Sequence, residues 1–281
     1  MVDGVLQWPP RCAPLGRMNG DAGNVDGVEQ AILKFDPIRL EERSGPTPLI
    51  DIVSGEVHVW GFLLDIDRAE LAAATRCLSR DELERAARLV SERHRRRFIA
   101  AHAALREVLS RYCRRFPQEL VFHKTSAGKP FLPGEAAMRF NLTHSHGIAL
   151  IAVANDREVG VDLEQIRPEV DVVRLARRFL SNQDRTFIEG GEPRGRHERF
   201  LQTWVAREAV FKAEGRGITL PLHHDHVELS NGGRDARLIR RTGGSGADFP
   251  VRFLSLETEW VGAVAAAGTD WRVTYRSMSG S

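Results

Sequence analysis

The sequence predicts an α+β fold in which two similar halves, related by a pseudo-twofold, meet along a cleft. Three observations predict it. Two long helical patterns occur, one in each half, and each is flanked by short runs of strand type. The strand-like runs are joined by short turns, as antiparallel strands are. The apolar run 260–267 echoes the run 147–154, which suggests internal duplication.

The elements follow in order. Pro9, Pro10, Pro14, Gly16, Gly20, Gly23, Gly27, Pro37, Gly45, Pro46 and Pro48 interrupt every early candidate, leaving only 28–35 for a short amphipathic turn. Residues 1–54 are therefore expected to form a loose extension without chemistry of its own. The first half is expected over 55–157 and the second over 158–281. Residues 57–64 read as a strand, and Ser79 with Glu82 makes a capping box for a following helix. The pattern 92–116 is the longest helix, with Phe98, Ala101, Leu105, Val108, Leu109 and Tyr112 on one stripe and Pro117 as its stop. Residues 120–122 read as a short strand before the loop 124–130. The run 148–154 is continuously apolar, as a strand buried on both faces is. A turn at 155–158 leads to a strand at 159–164. Helices are expected at 172–179 and 199–214, the latter stopped by Gly215 and Gly217. Segments 227–229, 251–254 and 261–265 have strand character.

Composition narrows the function classes. The chain has 281 residues, 42% hydrophobic and 28% charged, with a formal net charge of +2. Those values belong to a globular chain and exclude collagen-like and low-complexity classes. Cys12, Cys77 and Cys113 are odd in number and unpaired in spacing, which favours a reducing cytoplasm over a disulfide framework or zinc site. No apolar run approaches the roughly 18 residues of a spanning helix, and the N-terminus has no signal-peptide pattern.

The sharpest chemical feature is Asp162 and Glu164 in the strand 159–164. Side chains alternate along a strand, so both carboxylates share a face while Val161 and Leu163 take the other. Such a pair suits Mg²⁺, which takes one or two protein carboxylates and completes its shell with water and phosphate. On spacing alone, the solvent face of an edge strand is the better explanation. Glu208 and Lys212 lie four apart on one helical face beside Trp204 and Phe211. They form either a surface ion pair or a third metal carboxylate with a phosphate-facing cation. Gly128-Lys129-Pro130 ends a loop that is not a P-loop, because His123 and Pro130 replace the required Gly and Ser or Thr. A glycine followed by lysine in a turn can still receive a phosphate.

Arg93, Arg95, Arg96, Arg97, Arg106, Arg111, Arg114 and Arg115 oppose only Glu92 and Glu107 in the long helix. Nucleic acid, a phosphate-rich cofactor, an acidic protein or plain solvation would suit this run. Aromatics do not interleave with it, so single-stranded nucleic acid fits worst. His223-His224-Asp225-His226 matches no zinc spacing.

Together these motifs resemble the 4'-phosphopantetheinyl transferases, in particular the longer monomeric type that activates surfactin-type synthetases. The resemblance covers about half the chain, from Arg93 to Val227. Gly128-Lys129-Pro130 is similar to the family's GKP loop, and Phe140-Asn141-Leu142-Thr143-His144-Ser145 to its FN-x-SHS segment. Gly160-Val161-Asp162-Leu163-Glu164 matches G-[IV]-D-x-E, and Trp204 to Lys212 resembles W-x-x-KEA-x-x-K, with Gly215-Arg216-Gly217 following.

The resemblance implies transfer of the 4'-phosphopantetheine arm of coenzyme A to a serine of an acyl or peptidyl carrier protein, releasing 3',5'-ADP. It implies Mg²⁺ on Asp162, Glu164 and Glu208, with Glu208 or a water it orients as base and Lys212 steadying the transferred phosphate. Lys129, His144 and the segment Asn141 to Thr143 would grip the phosphates, with Lys124 at the start of the loop over the adenosine. Three positions depart from the family pattern. Thr143 keeps the hydroxyl of the usual serine, and Arg207 keeps the charge of the usual lysine. His102 stands where relatives often place an arginine against the 3'-phosphate, so Arg97 or Arg106 would supply that charge. The implied enzyme is a cytoplasmic monomer whose partners are coenzyme A and a carrier protein, not nucleic acid or membrane. The competing readings are a coenzyme A or nucleotide-binding protein without transfer activity, and a nucleic-acid module built on the 93–115 arginines.

Overall fold

The computed structural model describes residues 32–38, 49–216, 223–240 and 248–278. Most of the expected extension, the Cys12 position, the 28–31 part of the expected turn and Gly217 lie outside them.

The first half contains β2 (Glu56–Leu63), α1 (Arg68–Cys77), α2 (Arg80–Ala87), α3 (Glu92–Ser110), the small hairpin β3 (His123–Lys124) and β4 (Pro130–Phe131), β5 (Met138–Ser145) and β6 (Ile148–Asn155). The second contains β7 (Val159–Gln165), α4 (Val172–Phe179), α5 (Asn182–Glu189), α6 (Arg196–Glu214), β8 (Asp225–Ser230), β9 (Asp235–Arg240), β10 (Val251–Phe253) and β11 (Trp260–Ala266). Two peripheral strands, β1 (Phe35–Pro37) and β12 (Arg272–Arg276), complete the chain.

The halves repeat one plan. In the first, the opening strand β2 pairs with the last strand β6, which pairs with β5; in the second, β7 pairs with β11, which pairs with β10. Each half places two short helices and then a 19-residue helix between its opening and closing strands. The α+β architecture of two similar halves is thus what the sequence predicts.

Three apolar layers hold the molecule together. Val57, Val59, Leu150 and Ala152 of one sheet meet Val159, Val161, Leu163 and Val264 of the other. The outer face of the first sheet packs on α3 through Trp60, Phe62, Phe140 and Leu105. The outer face of the second packs on α6 through Val205, Ala209, Val261 and Ala263. β6 is buried at every position but its last, which explains its unbroken apolar run.

Several expectations are corrected. Residues 32–38 are not loose: Leu33 and Ile38 are buried, and β1 pairs in parallel with the 61–63 end of β2. The tail does not stay wholly with the second half, because β12 pairs with the 56–60 end of the same strand. Its Val273 and Tyr275 join the intersheet layer while Arg272 bonds Glu56, so this edge of β2 is closed by chain from both ends. The long helix stops at Ser110 rather than 116, because the amides of Arg111 and Tyr112 turn back to Val108 and Leu109 in a tightened last turn. That turn directs Tyr112 to its bonds with His58 and Trp60. Residues 120–122 form no strand; pairing begins at His123.

Candidate active site

The site forms where β5 of the first half meets β7 and α6 of the second. On β7, Val159, Val161 and Leu163 enter the intersheet layer, so Gly160, Asp162 and Glu164 face α6. α6 brings Glu208 and Lys212 to that face. β5 offers a polar stripe at alternate positions. Arg139 bonds Glu158, the Asn141 amide oxygen accepts from the Val161 N–H, Thr143 donates to Asp162, and Ser145 donates to Glu164.

Asp162 is the hub. Its Oδ1 accepts from the Lys212 ammonium at 2.6 Å and from the Thr143 hydroxyl at 3.1 Å. Lys212 also donates to Thr143 at 2.9 Å. The Asp162 Oδ2 is buried without a hydrogen-bond partner. Lys212 makes its ion pair with Asp162, so the helical surface pair with Glu208 is not what forms.

Three acidic groups share this small space, and their electrostatics follow. Burial and the Asp162 charge push Glu164 up to about 7, against its bond from Ser145 and the Lys212 charge. Burial and Asp162 push Glu208 up to about 8, opposed by Lys212. Lys212 is half-buried, and its partial desolvation disfavours its charge, but Asp162 and Glu208 outweigh that and raise its pKa. Fully ionised, the three carboxylates would exceed the charge of the one lysine, so the site without a cation holds protons that a bound cation would displace.

Hard oxygen donors and an orphaned buried carboxylate oxygen fit Mg²⁺. Among the described residues no three His, Cys, Asp or Glu side chains already stand as a metal-holding group. A closed cage is not needed, because Mg²⁺ commonly keeps waters and substrate phosphates alongside one or two carboxylates.

Sequence comparison places this geometry. The profile of the 4'-phosphopantetheinyl transferase superfamily matches residues 158–265, and the profile of the 4'-phosphopantetheinyl transferase N-terminal region matches 66–157. The chain is 37% identical over 174 residues to the 4'-phosphopantetheinyl transferase HetI of Nostoc sp., spanning 61% of this chain and 73% of that protein. The chain belongs to the 4'-phosphopantetheinyl transferase superfamily. It is also similar to the 4'-phosphopantetheinyl transferase Sfp of Bacillus subtilis, at 24% over 180 residues, 63% of this chain and 79% of Sfp. A vertebrate relative is the L-aminoadipate-semialdehyde dehydrogenase-phosphopantetheinyl transferase of Xenopus laevis, at 24% over 176 residues and 58% of each chain.

Within this transferase, the residues expected to bind phosphates divide sharply. Thr143, Asp162 and Lys212 converge with Glu164 and Glu208. His144 lies exposed near the end of β5, on the opposite face from Thr143, and Lys124 is exposed on β3. Asn141 is buried and spends its carbonyl on the β7 backbone, so its side chain is a bracket between the halves. Lys129 is not presented to solvent: its ammonium bonds Glu158, the Val159 carbonyl and the Ala213 carbonyl. His102 bonds Glu82 and lies against Phe98 with ring centroids 4.0 Å apart. Arg106 cannot stand in for it, being fully buried and bonded to Glu82, Pro117 and Leu120. Arg97 is held by two bonds to Asp65 beside Gly147 of the β5–β6 turn.

Two residues have roles that the sequence did not assign. Ser145 orients Glu164, and the alternation of Asn141, Thr143 and Ser145 was its available signal. Arg207 is fully buried in a salt bridge with Asp184 and also donates to the Asp225 carbonyl. It thereby anchors α6 to α5 and β8; α5, which the sequence did not predict, opens on a capping box of Ser181 and Asp184.

Proposed function

We propose that the protein moves the 4'-phosphopantetheine arm of coenzyme A onto a serine hydroxyl of an acyl or peptidyl carrier protein and releases 3',5'-ADP. The observation that carries the reading is the Asp162 cluster: a carboxylate held by Lys212 and Thr143, one oxygen orphaned, flanked by Glu164 and Glu208.

Asp162, Glu164 and Glu208 would hold Mg²⁺, which when bound supplies positive charge to the pyrophosphate oxygens. The remaining work belongs to the chain. Phosphoryl transfer depends on positioning and charge stabilisation, and the half-buried Lys212 ammonium, held by Asp162 and Thr143, provides a fixed cation for oxygens that gain charge. The serine oxygen forms a bond to the β-phosphorus, and the bond from that phosphorus to the bridging oxygen breaks, leaving the electron pair on 3',5'-ADP. Glu208, or a water it orients, takes the serine proton. Thr143 and Ser145 keep Asp162 and Glu164 from turning away.

The reading places the two working halves at 55–157 and 158–281, in a monomeric cytoplasmic enzyme. The free Cys77 and Cys113 support a reducing compartment, and no described helix is long and apolar enough to cross a membrane. A binding protein without chemistry is the alternative. Chromatographic detection of 3',5'-ADP after mixing with coenzyme A, Mg²⁺ and apo carrier protein separates the two, since mere binding yields none. Chelation should stop its release.

A further inference from the structure

We propose that Lys129 is a positioning residue that holds β7 and α6 at the separation the active site requires, rather than a ligand for a coenzyme A phosphate. The proposal rests on the transfer reading for its kinetic consequence and on geometry alone for its structural one.

A lysine ammonium has three protons to donate. Lys129 gives them to Glu158 at 2.6 Å, the Val159 carbonyl at 3.1 Å and the Ala213 carbonyl at 2.7 Å. Its side chain is 9% exposed. No proton remains for a phosphate. The three acceptors are also informative by place. Val159 immediately precedes Gly160 on β7, and Ala213 immediately follows Lys212 on α6. Gly160 is where strand and helix touch: a β-carbon there would lie 2.1 Å from the Ala209 carbonyl oxygen and 2.3 Å from the Ala213 nitrogen. The ammonium closes the crossing that the missing side chain permits.

The Ala213 carbonyl belongs to the last turn of α6, where carbonyls lack helical partners and a cation is favoured. Glu158 is itself fixed by Arg139 at 2.7 Å. The lysine comes from a tight turn of the first half, in which the Gly128 N–H bonds the Thr125 carbonyl and the Lys129 N–H bonds the Thr125 hydroxyl. One side chain thus ties the first half to both elements that carry the acidic cluster. The Asp162–Lys212 contact of 2.6 Å joins the same two elements, with Lys212 next to the anchored Ala213 and Asp162 further along β7 from the anchored Val159.

The test uses the full chain as Lys129→Met, Lys129→Arg and Glu158→Gln, with kcat, the KM for coenzyme A, metal-free coenzyme A affinity and amide exchange. Misplacement of reacting groups by about 1 Å can cost around 100-fold in rate, so Lys129→Met should lower kcat by about 10- to 100-fold. Metal-free coenzyme A affinity should not change. Lys129→Arg should recover part of kcat, and Glu158→Gln should lower kcat with coenzyme A affinity intact. Amide exchange should quicken at 159–160 and 212–215 in Lys129→Met.

A phosphate ligand would behave oppositely. Lys129→Met would weaken coenzyme A binding at constant kcat, and Glu158→Gln would free the cation and tighten it; either result overturns the proposal. A variant that only melts lower, with kcat intact, also overturns it. Should Lys129→Met not fold, Lys129→Arg and Glu158→Gln carry the same comparison. If the wild-type protein transfers nothing, the transfer reading fails on its own, and amide exchange still decides: unchanged exchange refutes the positioning role.

Discussion

Gly160 and Ala209 lie so close that a β-carbon on the glycine would stand 2.1 Å from the Ala209 carbonyl oxygen. The neighbour is helix backbone, which cannot swing aside as a side chain can. Gly160→Ala should therefore push α6 from β7, at about 1–3 kcal/mol of stability as overpacked cores show. It should also lower transfer more than the stability loss explains, because Lys212 and Glu208 move away from Asp162. Denaturant unfolding with parallel kcat measurement checks both.

Asp162 should prove structural as well as chemical. It is 4% exposed and holds the Lys212 ammonium. Asp162→Ala takes the partner from a half-buried cation whose side chain is 28% exposed, so the cost should fall below the roughly 3–5 kcal/mol of breaking a fully buried pair. The double variant Asp162→Ala with Lys212→Met should regain much of the stability and none of the activity. Equal melting of the single and double variants would show that the pair does not couple.

The sequence made the chemistry more legible than the connections. Alternation on β7 placed Asp162 and Glu164 on one face, and helical spacing placed Glu208 and Lys212 together, because both depend only on local periodicity. The partner of Lys212 was illegible, since Asp162 lies 50 residues away and only tertiary packing joins them. Lys129 shows the same limit: a lysine after a glycine in a turn looks free until the fold supplies its acceptors. Residues 32–38 and β12 were hidden for a related reason. Both are short, and what stabilises them is the vacant edge of β2 rather than their own pattern.

Stability should depend on pH through the acidic cluster. Glu164 and Glu208 rise from 4.5 to about 7 and about 8 on folding. The folded protein then binds more protons than the unfolded chain between those values, so this stabilisation is complete below pH 4.5 and is lost as pH rises towards 8. Without divalent metal the melting temperature should fall across that window. Added Mg²⁺ should oppose the fall, most strongly at the alkaline end. A melting temperature independent of Mg²⁺ at pH 8 would count against the metal site.

Glu82 should act in the opposite direction. Burial favours its protonated form, but His102 and Arg106 outweigh that and hold its pKa at about 2. The folded form therefore keeps its charge where the unfolded carboxyl takes a proton. That contribution is full above 4.5 and disappears as pH falls towards 2. Glu82→Gln should lose stability at neutral pH and show a shallower acid-unfolding profile. His102→Ala should lower stability while leaving coenzyme A affinity near the wild-type value, since the ring is committed to Glu82 and Phe98. Calorimetric titration with coenzyme A checks the second point.

The Asp162, Glu164 and Glu208 cluster is expected to drive phosphopantetheine transfer to a carrier serine. Intact mass spectrometry of a panel of apo carrier proteins, incubated with coenzyme A and Mg²⁺, tests it most directly. Wild-type protein should add one phosphopantetheine to at least one carrier, carriers with the serine changed to alanine should gain nothing, and Glu208→Gln protein should add little in the same time. Undiminished addition by folded Glu208→Gln, or no addition by wild-type protein to any carrier, would contradict that role of the cluster.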